Sequence, residues 1–293
     1  MHAEPFDYHA AESVDHAIAL LQETTAPKLL AGGHGLIPAM KKRELTPETV
    51  VDIGGLDELR GVEQRAGATR IGALTTHSEV LDSSLLAGAV PVVPATVAHI
   101  TGGRQVHNFA TIGGNIARAH PGYDYEGALL AAGCDLHVAG PDGPRTIPIA
   151  DFVTGACSTA LRDTELLTSI ELPGVDGERL GGYAKRKEPA SGNAVVGVAT
   201  DLTVDGARDA VVRSASVAVN GLQASAVELD AVEDALTGRP VSEATVERAA
   251  AVAGDSVDPA AVLDNKKAAA DYRLALLETT VRESLTSALF EGA

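Results

Sequence analysis

Residues 29–36 are Leu29-Leu30-Ala31-Gly32-Gly33-His34-Gly35-Leu36, in which a short apolar strand is predicted to enter a glycine-rich turn. A helix is predicted to begin near Leu36-Ile37-Pro38. Glycines let the backbone turn sharply and leave no side chain over the backbone N–H groups. Such N–H groups beside a helix N-terminus can bind phosphate oxygens. A tight turn without a ligand is the alternative, because short glycine motifs are common in proteins.

A second stretch, Thr111-Ile112-Gly113-Gly114-Asn115, is likewise predicted to be a strand that enters a Gly-Gly turn. Two turns of this kind in one chain suit a long ligand that carries two phosphates. Neither stretch contains the G-x-G-x-x-G or the G-x-x-x-x-G-K-[ST] pattern. A Rossmann or P-loop nucleotide site is therefore not supported.

The two stretches, about eighty residues apart, resemble the two FAD pyrophosphate loops of one protein family. It comprises the FAD-binding medium subunits of molybdenum hydroxylases, the xanthine dehydrogenase and aerobic carbon monoxide dehydrogenase group. The segment Tyr183-Ala184-Lys185, followed by Val195-Val196-Gly197-Val198-Ala199, resembles the start of that family's C-terminal domain. The family usually has Ser after the loop histidine, where this chain has Gly35. That difference removes a hydroxyl that could bind phosphate and keeps the backbone donors.

The resemblance implies an α+β fold with two domains. Residues 1–175 would form a two-part FAD-binding domain of the vanillyl-alcohol oxidase (PCMH) type, with subdomains at about 1–54 and 55–175. Residues 176–293 would form a small α+β C-terminal domain. The turn-rich segment 173–177 is the predicted boundary. Strands followed by a run of helices after it also favour the α+β class.

The resemblance also implies a set of FAD-binding residues. These are Leu29, Leu30, Ala31, Gly32, Gly33, His34, Gly35, Leu36, Thr101, Thr111, Ile112, Gly113, Gly114, Asn115, Asp124, Leu167 and Lys185. Asp124 would accept a hydrogen bond from a ribose or ribityl hydroxyl or a loop amide, and the cation of Lys185 would flank the flavin. Three alternatives stay open: His34 could bond a loop carbonyl, Asp124 could cap the next helix, and Lys185 could belong to an exposed strand end.

The function that the resemblance implies is electron transfer within a molybdenum hydroxylase. Electrons would leave a molybdenum cofactor on a large subunit and pass through two [2Fe-2S] clusters on a small subunit. FAD on this chain would then deliver them to an external acceptor. The expected assembly is a dimer of heterotrimers, with no catalytic and no metal-ligating residue on this chain. A self-sufficient flavin-dependent oxidase or reductase of the same fold and a non-enzymatic scaffold that has lost flavin are the alternatives.

The residues present agree with a chain in which a bound cofactor carries out the chemistry. It has no G-x-S-x-G motif, no H-x-x-x-H pair and no C-x-x-C motif. Its histidines at 99, 107 and 120 are scattered, so a metal site is not expected. Its two cysteines, Cys134 and Cys157, are expected to be buried free thiols.

Charge and hydropathy limit the possible partners and the location. The net charge of −17 disfavours binding to nucleic acid or to anionic membranes. The chain has no apolar run long enough for a membrane span and no signal-peptide pattern in its first residues. We therefore expect a cytoplasmic protein.

Periodicity and turn residues predict the remaining elements. Helices are expected at 14–21 with Ser13 as the cap, at 36–43, 77–86, 126–132, 229–236, 242–253 and 265–289, and late within 90–100. Strands are expected at 49–53, 69–74, 135–138, 145–147, 166–172, 194–204 and 210–219.

Overall fold

The computed structural model describes residues 2–206 and 210–291. Its first part contains β1 (Asp7–Ala10), α1 (Val14–Glu23), β2 (Pro27–Leu30), α2 (Leu36–Lys42) and β3 (Thr49–Asp52). The three strands form a parallel sheet in the order β1-β3-β2. Strand β2 ends at Leu30, directly before the glycine turn. The Leu30 carbonyl accepts the Ile53 N–H at 2.9 Å, which joins the end of β2 to the residue after β3.

Local sequence explains the helices of this first part. The Ser13 side chain caps α1 by accepting the His16 N–H at 3.0 Å, and α1 buries Ala17, Ile18 and Leu21 against the sheet. Helix α2 ends at Lys42, and the next residue, Arg43, adopts a left-handed conformation with φ of 63°. Both predicted helices are confirmed, since the capping and apolar signals are local.

The second part is a five-stranded antiparallel sheet with helices. It contains β4 (Val62–Arg65), β5 (Ala68–Gly72), α3 (His77–Leu81), α4 (Ser84–Ala89), α5 (Val92–Ala98), α6 (Gly103–His107), α7 (Ile112–Arg118), α8 (Tyr125–Ala132), β6 (Asp135–Ala139), β7 (Arg145–Pro148), α9 (Ile149–Phe152), β8 (Val153–Gly155), β9 (Ser158–Thr159) and β10 (Leu166–Leu172). The strand order is β4-β5-β10-β6-β7, and β8 pairs with β9 separately. Asp57–Leu59 forms a short 3-10 helix before this sheet.

The third part follows along the chain. It contains β11 (Glu178–Lys187), β12 (Ala194–Asp205), β13 (Val211–Asn220), β14 (Val227–Glu228), α10 (Asp230–Leu236), α11 (Glu243–Ala251) and α12 (Ala270–Thr286). The four strands form an antiparallel sheet in sequential order. Short 3-10 helices occupy Ala253–Ser256 and Pro259–Ala261, and a π-helical turn occupies Ser287–Glu291. The predicted α+β class is confirmed.

Packing is continuous between the second and third parts. Helix α8 is buried along its whole length and contacts β12 and β13 of the third part as well as helices α5 and α7 of its own part. Tyr183, Ala199 and Ala218 of the third sheet belong to the same apolar core as Ile71 and Leu129. The end of α8 that begins at Tyr125 is thus fixed between two sheets.

Three local predictions are wrong. Residues 77–86 form two helices, because the chain breaks at Asp82 and the Ser83 side chain caps a new helix by accepting the Leu86 N–H at 3.3 Å. The segment from Thr111 begins a helix instead of a strand and turn. Cys134 is a buried thiol as expected, but Cys157 is exposed, since it lies in the tight turn between β8 and β9.

Candidate functional site

The two glycine stretches lie side by side in the structure. A Cβ added to Gly32 would lie 2.0 Å from the Phe109 carbonyl oxygen, so this turn packs directly on the backbone that precedes the second stretch. A Cβ added to Gly114 would lie 3.8 Å from the Cβ of Ala31. At Gly32 only a residue without a side chain allows the two backbones to approach this closely. The fold thus joins two segments that are far apart in sequence.

The first turn has free backbone donors. Gly33 adopts φ of +76°, which glycine tolerates and other residues rarely do. Hydrogen bonds among the described residues do not use the backbone N–H groups of residues 32–35. Because unpaired N–H groups need an acceptor, this turn can bind an anionic oxygen. The N-terminus of α2 follows directly and adds a favourable dipole for an anion.

The second stretch has a different geometry from the one we predicted. Thr111 is the N-cap of α7, and the four N–H groups of residues 112–115 donate to Ala73, Thr75 and Thr111 at 2.9–3.1 Å. A Cβ on Gly113 would lie 2.6 Å from Ala73, so this glycine is required by packing. Residues 112–115 therefore have no free backbone donor within the described structure.

What the second stretch presents is a bare surface and a side-chain amide. Gly114 is exposed in the first turn of α7 and has no side chain that would cover its neighbours. The side-chain oxygen Oδ1 of Asn115 is buried and has no hydrogen-bond partner among the described residues. A buried acceptor without a donor destabilises the fold, so a hydrogen-bond donor of a ligand or a water molecule beside this oxygen would stabilise the site.

A buried polar network lies at the start of α8; we call it the Asp124 network. Its members are Asp124, Lys185, Tyr183 and Asn220. The two carboxylate oxygens of Asp124 accept hydrogen bonds from the Tyr183 hydroxyl at 2.6 Å and the Lys185 ammonium at 3.0 Å. The Tyr183 oxygen also lies 3.2 Å from Oδ1 of Asn220, whose amide nitrogen donates to the Tyr123 carbonyl at 3.0 Å.

The network decides two of the alternatives left open by the sequence. The Lys185 side chain is only 3% exposed, so it is not part of an exposed strand end. Asp124 occupies the N-cap position of α8, but its side chain makes no capping hydrogen bond. Both of its carboxylate oxygens instead accept hydrogen bonds from Tyr183 and Lys185 of β11. Burial raises the pKa of Asp124 above its usual range, although Lys185 and Tyr183 act in the opposite direction. Burial also raises the pKa of Tyr183 well above its usual value.

Three further predicted residues, His34, Thr101 and Leu167, make contacts within the protein. His34 has its Nδ1 at 2.9 Å from the Gly32 carbonyl oxygen, which supports the structural alternative for this side chain. Thr101 packs against Gly192, where an added Cβ would lie 2.0 Å from the threonine hydroxyl. Leu167 is buried in β10 beside Thr168, whose carbonyl accepts the Ala73 N–H at 3.0 Å. Ala73 in turn binds the second glycine stretch.

Sequence reasoning missed several contributors to this region. Phe109, which is 63% exposed, supplies the backbone on which the first turn packs, and no local pattern marks it. Asn220 lies 97 positions from its partner Tyr123, so only the fold could reveal it. Tyr183 could have been found, because it lies two positions before Lys185 in a strand and so points to the same face.

The residues present fit FAD. Free N–H groups in the first turn, the bare surface at Gly114 and the unpartnered oxygen of Asn115 match a diphosphate with adjoining hydroxyl groups. Within residues 2–206 and 210–291, no group of three or more metal-ligating side chains could hold a metal ion. In the same residues, no helix combines the length and the apolarity that a bilayer crossing requires.

Comparison with known proteins gives matches along nearly the whole chain. A family model described as the FAD binding domain in molybdopterin dehydrogenase matches residues 4–175. A second model, the CO dehydrogenase flavoprotein C-terminal domain, matches residues 182–288. The carbon monoxide dehydrogenase medium chain of Hydrogenophaga pseudoflava is 32% identical over 97% of this chain and 96% of its own length. The xanthine dehydrogenase FAD-binding subunit of Escherichia coli O157:H7 is 27% identical over 96% of this chain and 95% of its own.

Solved structures show the same architecture. Carbon monoxide dehydrogenase from Hydrogenophaga pseudoflava aligns over 100% of both chains with a TM-score of 0.90 and 32% identity. Quinoline 2-oxidoreductase from Pseudomonas putida 86 aligns over 100% of this chain and 99% of its own, with a TM-score of 0.90 and 25% identity.

Proposed function

This chain belongs to the family of FAD-binding medium subunits of molybdenum hydroxylases, and we propose that it binds the FAD pyrophosphate between its two glycine stretches. The N–H groups of residues 32–35 would donate to one side of the pyrophosphate. The surface at Gly114 and the Asn115 amide would face the other side. The full set of residues inferred from the sequence, from Leu29 to Lys185, remains a proposal for the FAD site.

The chain is the FAD-carrying electron-transfer subunit of a molybdenum hydroxylase complex. When bound, FAD takes up electrons from the iron–sulfur clusters of a partner subunit and passes them to an external acceptor. The residues of this chain bind and orient the cofactor and set the charge around it. Molybdenum and iron–sulfur centres belong to other subunits.

The observation that carries the placement is the meeting of the two stretches. Gly32 packs on the backbone before Thr111, and Gly114 approaches Ala31, so donors and bare surface face one region. The Asp124 network supports it, because Tyr125, the residue after Asp124, lies 3.3 Å from His77, whose backbone N–H donates to the Ala110 carbonyl just before the second stretch. A tight turn without a ligand would leave the N–H groups of residues 32–35 without an acceptor among the described residues.

The assembly belongs to the same proposal. The relatives are subunits of multi-subunit complexes, which supports a complex for this chain as well. We propose a dimer of heterotrimers with a small iron–sulfur and a large molybdenum subunit in the cytoplasm. We also propose domains at 1–175, with subdomains at about 1–54 and 55–175, and at 176–293. Native mass spectrometry of the purified complex, cell fractionation and limited proteolysis test these three statements.

The binding site is tested by removing the bare surface. Gly114→Val places a branched side chain beside Ala31 and should strip FAD from the purified chain, as measured by flavin absorbance per protein. Gly254→Val is the matched control, because a Cβ at that glycine meets nothing within 4 Å. Full FAD occupancy in the folded Gly114→Val chain would refute this placement.

A further inference from the structure

The hydrogen-bond donors and acceptors of the Asp124 network do not balance when Asp124 is ionised. The Tyr183 hydroxyl has one hydrogen, but it lies 2.6 Å from Oδ1 of Asp124 and 3.2 Å from Oδ1 of Asn220. Both of those oxygens can only accept. The hydrogen belongs to the shorter bond, to the carboxylate, so the Asn220 oxygen faces the tyrosine oxygen with no hydrogen between them.

The orientation of the Asn220 amide is fixed by its other partner. The Tyr123 carbonyl lies 3.0 Å from the amide nitrogen and can only accept a hydrogen bond. Turning the amide over would place two acceptor oxygens against each other there. The amide oxygen must therefore point toward Tyr183.

Among residues 2–206 and 210–291, no hydrogen-bond donor other than Tyr183 is paired with the Asn220 side-chain oxygen. A Cβ on Gly197 would lie 2.2 Å from the Tyr183 oxygen and 2.8 Å from the Asn220 oxygen, so the strand β12 seals this side. One added proton on Oδ1 of Asp124 completes the network. Asp124 then donates to Tyr183, Tyr183 donates to Asn220, and the other carboxyl oxygen still accepts from Lys185.

The charged and titratable groups around Asp124 are few. Lys185 and Tyr183 face it from β11, Asn220 from β13, and His99 from the end of α5, while Tyr125 follows it in α8. Lys185 and His99 favour the carboxylate, whereas burial favours the acid. Burial has the larger effect and raises the pKa of the carboxyl group, and negative charge added nearby would raise that pKa further.

Reduction of a flavin by iron–sulfur clusters adds such a charge. Two electrons arrive from the clusters without protons, and protons must follow from solvent for charge to balance. On the basis of the proposed function, we propose that the Asp124 network takes up one proton, on the Asp124 carboxylate, when FAD at this site is reduced. A bound flavin would take one of the two protons. The Asp124 carboxylate takes the other and gains one O–H bond, while all other covalent bonds of the network stay the same. Tyr183 and Asn220 are positioning residues that stabilise the protonated acid.

The experiment follows the number of protons bound per two electrons. The midpoint potential of FAD in the purified FAD-loaded chain is measured against pH, since its slope gives that number. Infrared difference spectra of the reduced minus oxidised protein are recorded in parallel. We expect two protons in the natural protein and the carbonyl band of a newly protonated carboxylic acid, which Asp124→Asn should abolish.

Tyr183→Phe keeps the carboxyl group and removes the hydrogen-bond chain, so it should lower the uptake to one proton. Tyr125→Phe is the matched control: it removes another fully buried hydroxyl, 3.3 Å from His77, that does not touch Asp124. This control should keep two protons.

Several outcomes overturn the inference. Uptake of one proton per two electrons in the natural protein would do so, because the second proton would be absent. Uptake of two protons without the carboxylic acid band would also do so, because the second proton would be on the flavin. These measurements need no variant and remain decisive if Tyr183→Phe does not fold. A purified chain that binds no FAD would instead refute the proposed function, and this inference with it.

Discussion

Replacing Gly35 with serine should tighten FAD binding by about tenfold. Gly35 has φ of −92° and ψ of −53°, a helical conformation that serine adopts without strain. A Cβ at this position would lie 3.8 Å from the Arg118 side chain, which is an ordinary van der Waals contact. The structure thus has room for the hydroxyl that the family usually carries here.

The new hydroxyl should be free to bind the ligand. Two helix positions later, the Ile37 N–H already donates to the Gly33 carbonyl at 3.0 Å, and the next residue, Pro38, has no N–H. The serine oxygen therefore has no helix donor to satisfy. A hydrogen bond to a charged phosphate contributes about 1.5 kcal/mol. At about 1.4 kcal/mol per factor of ten, this corresponds to about a tenfold lower Kd.

The assay is titration of the FAD-free chain with FAD, followed by flavin fluorescence. Gly35→Ala is the control, because both substitutions stabilise the folded chain by about 0.4–1 kcal/mol through the loss of glycine flexibility in the unfolded state. Only serine should change the Kd. Equal Kd values for the serine, alanine and natural chains would show that no phosphate oxygen lies near residue 35.

Four further outcomes are expected. Burial raises the pKa of Glu126 to about 7 from 4.5, so the folded state holds this proton more tightly, and the free energy of unfolding should fall as pH rises from about 4.5 to about 7. Glu126→Gln should flatten that fall in urea unfolding at a series of pH values, and an unchanged pH profile would contradict the assignment. Lys185→Met leaves the Asp124 carboxylate buried without its cation and should lower the free energy of unfolding by about 3–5 kcal/mol. Adding Asp124→Asn should restore part of that loss, whereas a loss below about 1 kcal/mol would contradict a charged buried pair. The isolated chain should contain no iron–sulfur cluster, and stoichiometric iron and sulfide in the pure chain would refute this. Removing FAD from the assembled complex should stop electron delivery to the acceptor but spare anaerobic bleaching of the iron–sulfur clusters by substrate, and loss of bleaching in an intact assembly would give this chain a part in substrate chemistry.

Local signals were sufficient for much of the fold. The Ser13 cap with its apolar face predicted α1, and glycines after an apolar strand predicted the turn at residues 32–35. These predictions succeeded because a capping side chain or a positive φ depends on neighbouring residues alone.

Local signals failed where tertiary contacts decide. Thr111-Ile112 resembles the end of a strand, but in the fold a helix begins there. The N–H groups of Ile112 and Gly113 donate to the carbonyls of residues 75 and 73. Residues 77–86 show one helical pattern, yet Ser83 starts a second helix. Cys157 is exposed because of the turn in which it lies, although cysteine is usually buried.

The sequence by itself predicted which residues could bind a diphosphate, and it contains no motif that is typical of acid–base or metal catalysis. Only the tertiary structure decided that Gly32 and Gly114 face one region. It also decided that the N–H groups of residues 112–115 donate to protein acceptors and are not available to a ligand. It alone joined Asp124 to Lys185, 61 positions away, and Tyr123 to Asn220, 97 positions away. The physical reason is that burial and long-range hydrogen bonds set the charge state of a carboxylate, and neither is encoded in its neighbours along the chain.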